Sequence, residues 1–133
     1  LKGRALITAE ATLTDIQAER QTIVDNWEKV IAANIVHYAN KVDALITAGG
    51  ADFDCSLDNS CQKYWSEMAA FVLCLQFNSY SDLVTADHEY LWTNTSHPPA
   101  ANEGGTYQTT NLTNLKTKLG TLFSFEANDL ANW

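Results

Sequence analysis

Between Leu13 and Leu45 the apolar residues recur at steps of three, four and seven: Leu13, Ile16, Ile23, Trp27, Ile31, Ile35, Tyr38, Val42 and Leu45. This spacing lays them along one stripe of an amphipathic helix. Thr14 with Gln17 three positions on has the form of a capping box, and Gly49 and Gly50 supply the stop. If "LITAEA" joins the same element, the helix runs from about residue 5 to 48 and measures roughly 65 Å. Mean helices are only about 11 to 12 residues. Every later segment is under half as long as this one, so none can cover its whole stripe. Either the chain bends near Thr14 or Asn34, or the N-terminal half is covered by another molecule.

A second helical pattern follows in Cys61, Trp65, Met68, Val72 and Leu75, with Asn59 or Ser60 as candidate N-cap. Its continuation "AAFVLCLQF" is apolar nearly all round, which predicts the central, most buried helix. A third, shorter helix is expected from Ser81 through Leu83, Val84 and Leu91 to about Trp92. "NTSHPPAANEGG" then has the composition of an exposed loop. Leu112, Leu115, Leu119 and Leu122 restore the three-four spacing from about Asn111, with Gly120 ending or weakening that helix. The tail "TLFSFEANDLANW" reads equally as helix or, at "TLFSF", as a short strand. No repeat, low-complexity tract or Gly/Ser/Pro-rich linker divides residues 1 to 133. The expectation is one mainly α domain, a helical bundle with one long N-terminal helix, three shorter helices and an irregular C-terminal portion.

Composition narrows the function classes. The 133 residues are 46% hydrophobic and 18% charged, too apolar for disorder, and they contain no run that would span a bilayer. The net charge is -8. Residues 51 to 100 hold Asp52, Asp54, Asp58, Glu67, Asp82, Asp87 and Glu89 against Lys63 alone. Such a surface repels phosphate, which excludes nucleic acid and electrostatic binding to anionic membranes. The chain opens with Leu1 and not with methionine, which leaves room for a removed signal peptide, anchor or tag.

Cys55 and Cys61 flank a short polar loop, "DCSLDNSC", and a bridge between them is the economical reading; Cys55 with Cys74 is the next alternative. Cys74, within "AAFVLCLQF", reads as a small buried hydrophobe. A disulfide implies an extracellular, periplasmic or cell-surface location. Asp52, Asp54, Ser56 and Asp58 alternate as calcium-loop oxygens do, but Leu57 and Lys63 stand where such a loop needs glycine and a bidentate glutamate. His37 reads as a boundary residue. Asp87, His88 and Glu89 are adjacent on a helix and so point apart. Together with His97 these residues offer no zinc spacing, and no nucleophile elbow or phosphate loop is present. We therefore expect no metal, no cofactor and no catalysis. Asn94 and Asn111 begin N-x-[ST] triplets in or beside the predicted loop. Trp27 and Trp65 fall on apolar stripes, leaving Trp92 and Trp133 as the exposed candidates.

The stretch "LKGRALITAEATLTDIQAERQTIV" resembles the part of type IV pilin-like subunits that follows their membrane-embedded segment. "LTDIQAERQTIVDNWEKVI" is also similar to the first ectodomain helix of bacterial chemoreceptors. Each resemblance covers about a quarter of the chain and implies a long helix leading out of a membrane or filament into a globular head. The pilin-like hydrophobic segment is absent here, and residues 61 to 92 read as helix where such heads carry sheet. Both lines of reading lead to a non-enzymatic, extracytoplasmic structural or assembly subunit. It would contact a protein partner, or itself, through Leu6, Leu13, Ile16, Ile23 and Trp27. The alternative is a ligand-binding sensory or carrier module with a pocket lined by Tyr38, Trp65, Met68, Phe71 and Trp92.

Overall fold

The computed structural model describes residues 2–50 and 52–133. Its elements are α1 (Lys2–Thr8), α2 (Leu13–Gly49), α3 (Asn59–Leu75), α4 (Thr85–Thr93), α5 (Gly104–Thr106), α6 (Thr113–Phe123) and α7 (Ala127–Asn132). A 3-10 turn at Cys55–Leu57 precedes α3, and a π-helical stretch, Tyr107–Leu112, joins α5 to α6. No strand occurs among the described residues, so "TLFSF" belongs to the end of α6 and the turn after it.

The first helix does break, next to Thr14 and not at Asn34, between Thr8 and Leu13. α1 ends in a left-handed turn at Glu10 (φ 51°), where Glu10 N–H donates to Ile7 O (3.1 Å) and Ala11 N–H to Leu6 O (2.9 Å). Thr12, not Thr14, then caps α2: its Oγ1 accepts from Asp15 N (3.2 Å) and donates to the Asp15 carboxylate (2.5 Å). From there α2 runs unbroken for 37 residues, about 55 Å. It ends where Gly50 takes φ 76°, a conformation that costs glycine nothing.

The core seam of α2 is Glu28, Ala32, Ile35, Ala39, Val42 and Ile46, at strict four-three steps, with Val36 beside it. α3 lies along this seam and buries Cys61, Met68, Ala69, Val72 and Leu75, while Leu91 of α4 and Leu115 and Leu119 of α6 complete the core. Burial of each such leucine stabilises the fold by about 2 kcal/mol. The central helix is thus α2. α3 was expected to be the most buried, yet Leu73, Cys74 and Phe77 on its outer side are exposed. The physical reason is supply: α2 covers one face of α3 and α4 another, and no further element remains for the third.

Several boundaries move for local reasons. Asp58, not Asn59 or Ser60, caps α3, its Oδ1 accepting from Cys61 N (2.9 Å). Ser81 closes a turn by accepting from Leu83 N (3.1 Å), and α4 starts at Thr85, with the Asp87 carboxylate accepting from Val84 N (3.1 Å). The loop before Gly104 is docked instead of exposed: Thr95 and Pro99 are buried, and Pro99 O accepts from Cys55 N (3.1 Å). Asn94 is buried too, its amide donating to Tyr90 O (2.9 Å), so this triplet does not present a free asparagine. Helix resumes at Gly104, well before Asn111, because Gly104 fits where a Cβ would come within 2.7 Å of Ile46 Cγ2. Gly120 does not end α6; it makes room for Leu130, and the helix stops at Ser124, in a left-handed conformation.

Side-chain ties fasten the C-terminal half to α2. Gln108 Nε2 donates to Asp43 O (3.1 Å), Asp43 Oδ1 (2.7 Å) and Thr47 Oγ1 (2.9 Å). Lys116 reaches Asp43 (3.3 Å) and Asn40 (3.1 Å), and Asn40 in turn donates to the carbonyls of Leu130 and Trp133. All of these anchors fall in the second half of α2.

Candidate docking face

The apolar residues in the first half of α2 do not continue the core seam. Extended toward the N-terminus by its own four-three steps, the core seam meets Asp25 and Gln21, both polar. The apolar set Leu13, Ile16, Ile23, Trp27 and Val30 stands one or two positions before the members of that extended seam and centres roughly 100° around the helix from it. One residue is about 100° of rotation on a helix. A partner lying on the core seam therefore cannot also cover this second one. The consequence is large exposure: Leu13 69%, Ile23 58%, Trp27 69% and Val30 57%.

Two pieces of the chain touch the margins of this face. α1 folds back on α2 so that Gly3 lies over Glu19 and Ile23, leaving Leu6 and Ile16 half-buried and Ile7 exposed. Its polar tie is Lys2 to Glu19 (3.0 Å), and no residue of α1 is buried. On the other side the segment after α3 straddles α2. Asn78 Nδ2 donates to the buried Glu28 Oε1 (2.8 Å), Gln21 Nε2 donates to Tyr80 O (3.2 Å), and the Arg20 guanidinium stacks over the Tyr80 ring at 4.1 Å. Between this segment and α2 runs a groove of about 390 Å³ whose walls include Ile23, Val24, Trp27, Ile31, Cys74 and Phe77.

Of the five residues expected on an interaction face, Leu13, Ile23 and Trp27 stand open, and Leu6 and Ile16 are half-buried. Sequence reading missed Val30, which continues the Ile23–Trp27 steps, and Phe77, whose apolarity was assigned to the core. Cys74 was expected to be buried and is exposed at the edge of the groove, because it lies on the uncovered side of α3. The bridge is Cys55–Cys61, with Cα atoms 5.3 Å apart, as the loop spacing suggested.

The five candidate pocket residues are dispersed. Tyr38 stacks on Phe71 (ring centroids 5.9 Å) beside Tyr64. Met68 is sealed in the core, and half-buried Trp65 turns its indole toward Tyr107. Trp92 instead borders a different, open groove of about 400 Å³ between α3 and α4, with Val72, Gln76, Thr85, His88 and Glu89. The His88 Nδ1 is buried without a hydrogen-bond partner.

Perturbed acidities have structural causes. The Lys118 ammonium, 2.6 Å from Asp87, holds that carboxyl below its usual range and ties α6 to α4; burial opposes it. Burial pushes the Tyr107 phenol up to about 12, the Trp65 indole opposing. Tyr38 is raised by burial and by the neighbouring Glu67 carboxylate. The acidic loop is used internally: Asp54 accepts from Ser56 N (2.8 Å), and Asp58 caps α3. Among the described residues no group of three or more His, Cys, Asp or Glu side chains could hold a metal ion, and no helix is long and apolar enough to cross a membrane. No family model matches this chain, nor does any curated protein or solved structure.

Proposed function

We propose that this chain is a non-enzymatic interaction module, a structural or assembly subunit that docks through the apolar face of its N-terminal helix. The observation that carries this reading is the second seam of α2, Leu13, Ile23, Trp27 and Val30, set about 100° off the core seam and left uncovered by its own chain. Tryptophan at the centre of an apolar patch is the residue type that most often dominates binding energy. The Cys55–Cys61 bridge supports an oxidising, extracytoplasmic setting. The acidic head supports a protein partner over nucleic acid.

Ile23→Asp and Trp27→Asp test the reading through stability. A face that is free in the single molecule tolerates both within about 0.5 kcal/mol in denaturant unfolding, while any association is lost. A loss of more than about 2 kcal/mol would mean the side chains pack internally, and the docking face would then not exist. A second reading, a small-ligand site, is favoured by the groove between α3 and α4, where Trp92 offers an aromatic wall and His88 an unpartnered nitrogen. A planar ligand seated there would raise the melting temperature of the wild type and fail to do so for Trp92→Ala.

A further inference from the structure

Across the break between α1 and α2 the residues Leu6, Ala9, Leu13, Ile16, Arg20, Ile23, Trp27 and Val30 follow three-four steps without interruption. A helix that breaks for good has no reason to keep its heptad register through the break. The break is also weakly held. The left-handed residue is a glutamate, not a glycine, which costs about 1 kcal/mol. α1 buries none of its residues, and its ion pair to Glu19 leaves Lys2 in solvent. Neither glycine nor proline occupies residues 9–12 to forbid a continuous helix.

We infer that α1 straightens into α2 and that the resulting continuous seam, from Lys2 to Val30 and about 43 Å long, pairs antiparallel with the same seam of a second copy of this chain. This rests on the docking reading above and names its partner. Two observations select the occupant and its direction. The first is charge. Residues 2–30 carry Lys2, Arg4, Arg20 and Lys29 against five carboxylates and are nearly neutral, whereas residues 31–133 carry four lysines against eleven carboxylates. Two such heads repel, and antiparallel rods hold them at opposite ends while joining the parts that do not repel. The second is shape. Antiparallel pairing centred between Gln17 and Glu19 sets Leu6 against Val30, Leu13 against Ile23, and Ala9, the smallest side chain of the seam, against Trp27, the largest. Parallel pairing would instead put Arg20 against Arg20 and Trp27 against Trp27. In the antiparallel arrangement Arg20 faces Ile16 with the other copy's Glu19 alongside. Opening the α1 hairpin frees Leu6 and Ile16 for this contact and releases Glu19 from Lys2.

The test uses the full chain with Cys74→Ser. Sedimentation should show a monomer–dimer equilibrium that strengthens as salt screens the heads, with Trp27→Asp raising the dissociation constant about thirtyfold or more. A spin label on Arg4→Cys should report an interchain separation of roughly 42 Å, since residue 4 then lies opposite residue 32. Labels at Arg4→Cys and Asn26→Cys, diluted with unlabelled chain, should report roughly 33 Å in the dimer, the rise of a straight helix. A monomer at all concentrations overturns the inference, as do labels at position 4 lying side by side, or a dimer in which residues 4 and 26 stay as close as the hairpin holds them. If the chain is monomeric and Trp27→Asp is as stable as wild type, only the second copy is refuted. If Trp27→Asp is itself strongly destabilised, the docking reading fails with it.

Discussion

Glu28 shows how one residue separates the two halves of the longest helix. It is the N-terminal member of the core seam, buried to 4% exposure, and its carboxylate is met by the Asn78 amide at 2.8 Å. Removing that donor leaves a buried carboxylate short of a partner, so Asn78→Ala should lower unfolding free energy by about 1 to 3 kcal/mol, as denaturant titration would read. Gly104 marks the opposite end. A Cβ there would press on Ile46 Cγ2 at 2.7 Å, so Gly104→Ala should destabilise by about 1 to 3 kcal/mol despite the better helix propensity of alanine. At the cysteines, thiol titration of denatured, unreduced protein should find one thiol, Cys74. Loss of the bridge through Cys55→Ser should cost about 2 kcal/mol, because it closes only a short loop.

Elements were legible wherever one periodicity ran undisturbed. The four-three steps of α2 and α3 and the leucines of α6 are visible in the sequence as helices because each buries one stripe. The Cys55–Cys61 bridge was legible from its polar loop. What the sequence concealed was rotation: Leu13 to Leu45 reads as a single stripe, yet one residue of offset between Trp27 and Glu28 divides it between solvent and core. The docked segment at Asn94–Pro99 was equally hidden, since it is tied down by a backbone bond from Cys55 N to Pro99 O that composition does not encode. The dispersal of Tyr38, Met68 and Trp92 follows from α3 presenting different faces to α2 and α4. Contacts between elements also set the response to pH. Asp87, lowered by Lys118, contributes stability that is complete above its ordinary unfolded value and is lost as pH falls through the native one, so Lys118→Ala should flatten the acid limb of the stability curve. Tyr107 acts in the opposite sense. Its phenol, raised from 10.0 to about 12, favours the native state below the unfolded value, and that contribution is lost as pH rises from 10.0 toward 12. Tyr107→Phe should remove this alkaline loss.

At the scale of the whole molecule, the chain is a head assembled on the second half of α2 with a rod projecting from it. Every long-range tie from Gln108, Lys116 and Asn40 is made beyond Val30; before it, among the described residues, α1 and the Asn78–Tyr80 segment lie against the rod, and Leu83 and Leu122–Phe125 approach it at Asp25–Lys29, on the side away from the apolar face. The most direct measurement is radical footprinting of Trp27 and Ile23 across protein concentration, with Met68 as the buried reference. The rod predicts rapid oxidation of Trp27 and Ile23 in dilute protein and their protection on association, while Met68 is shielded throughout. Protection of Trp27 and Ile23 at the lowest concentration, equal to that of Met68, would contradict it.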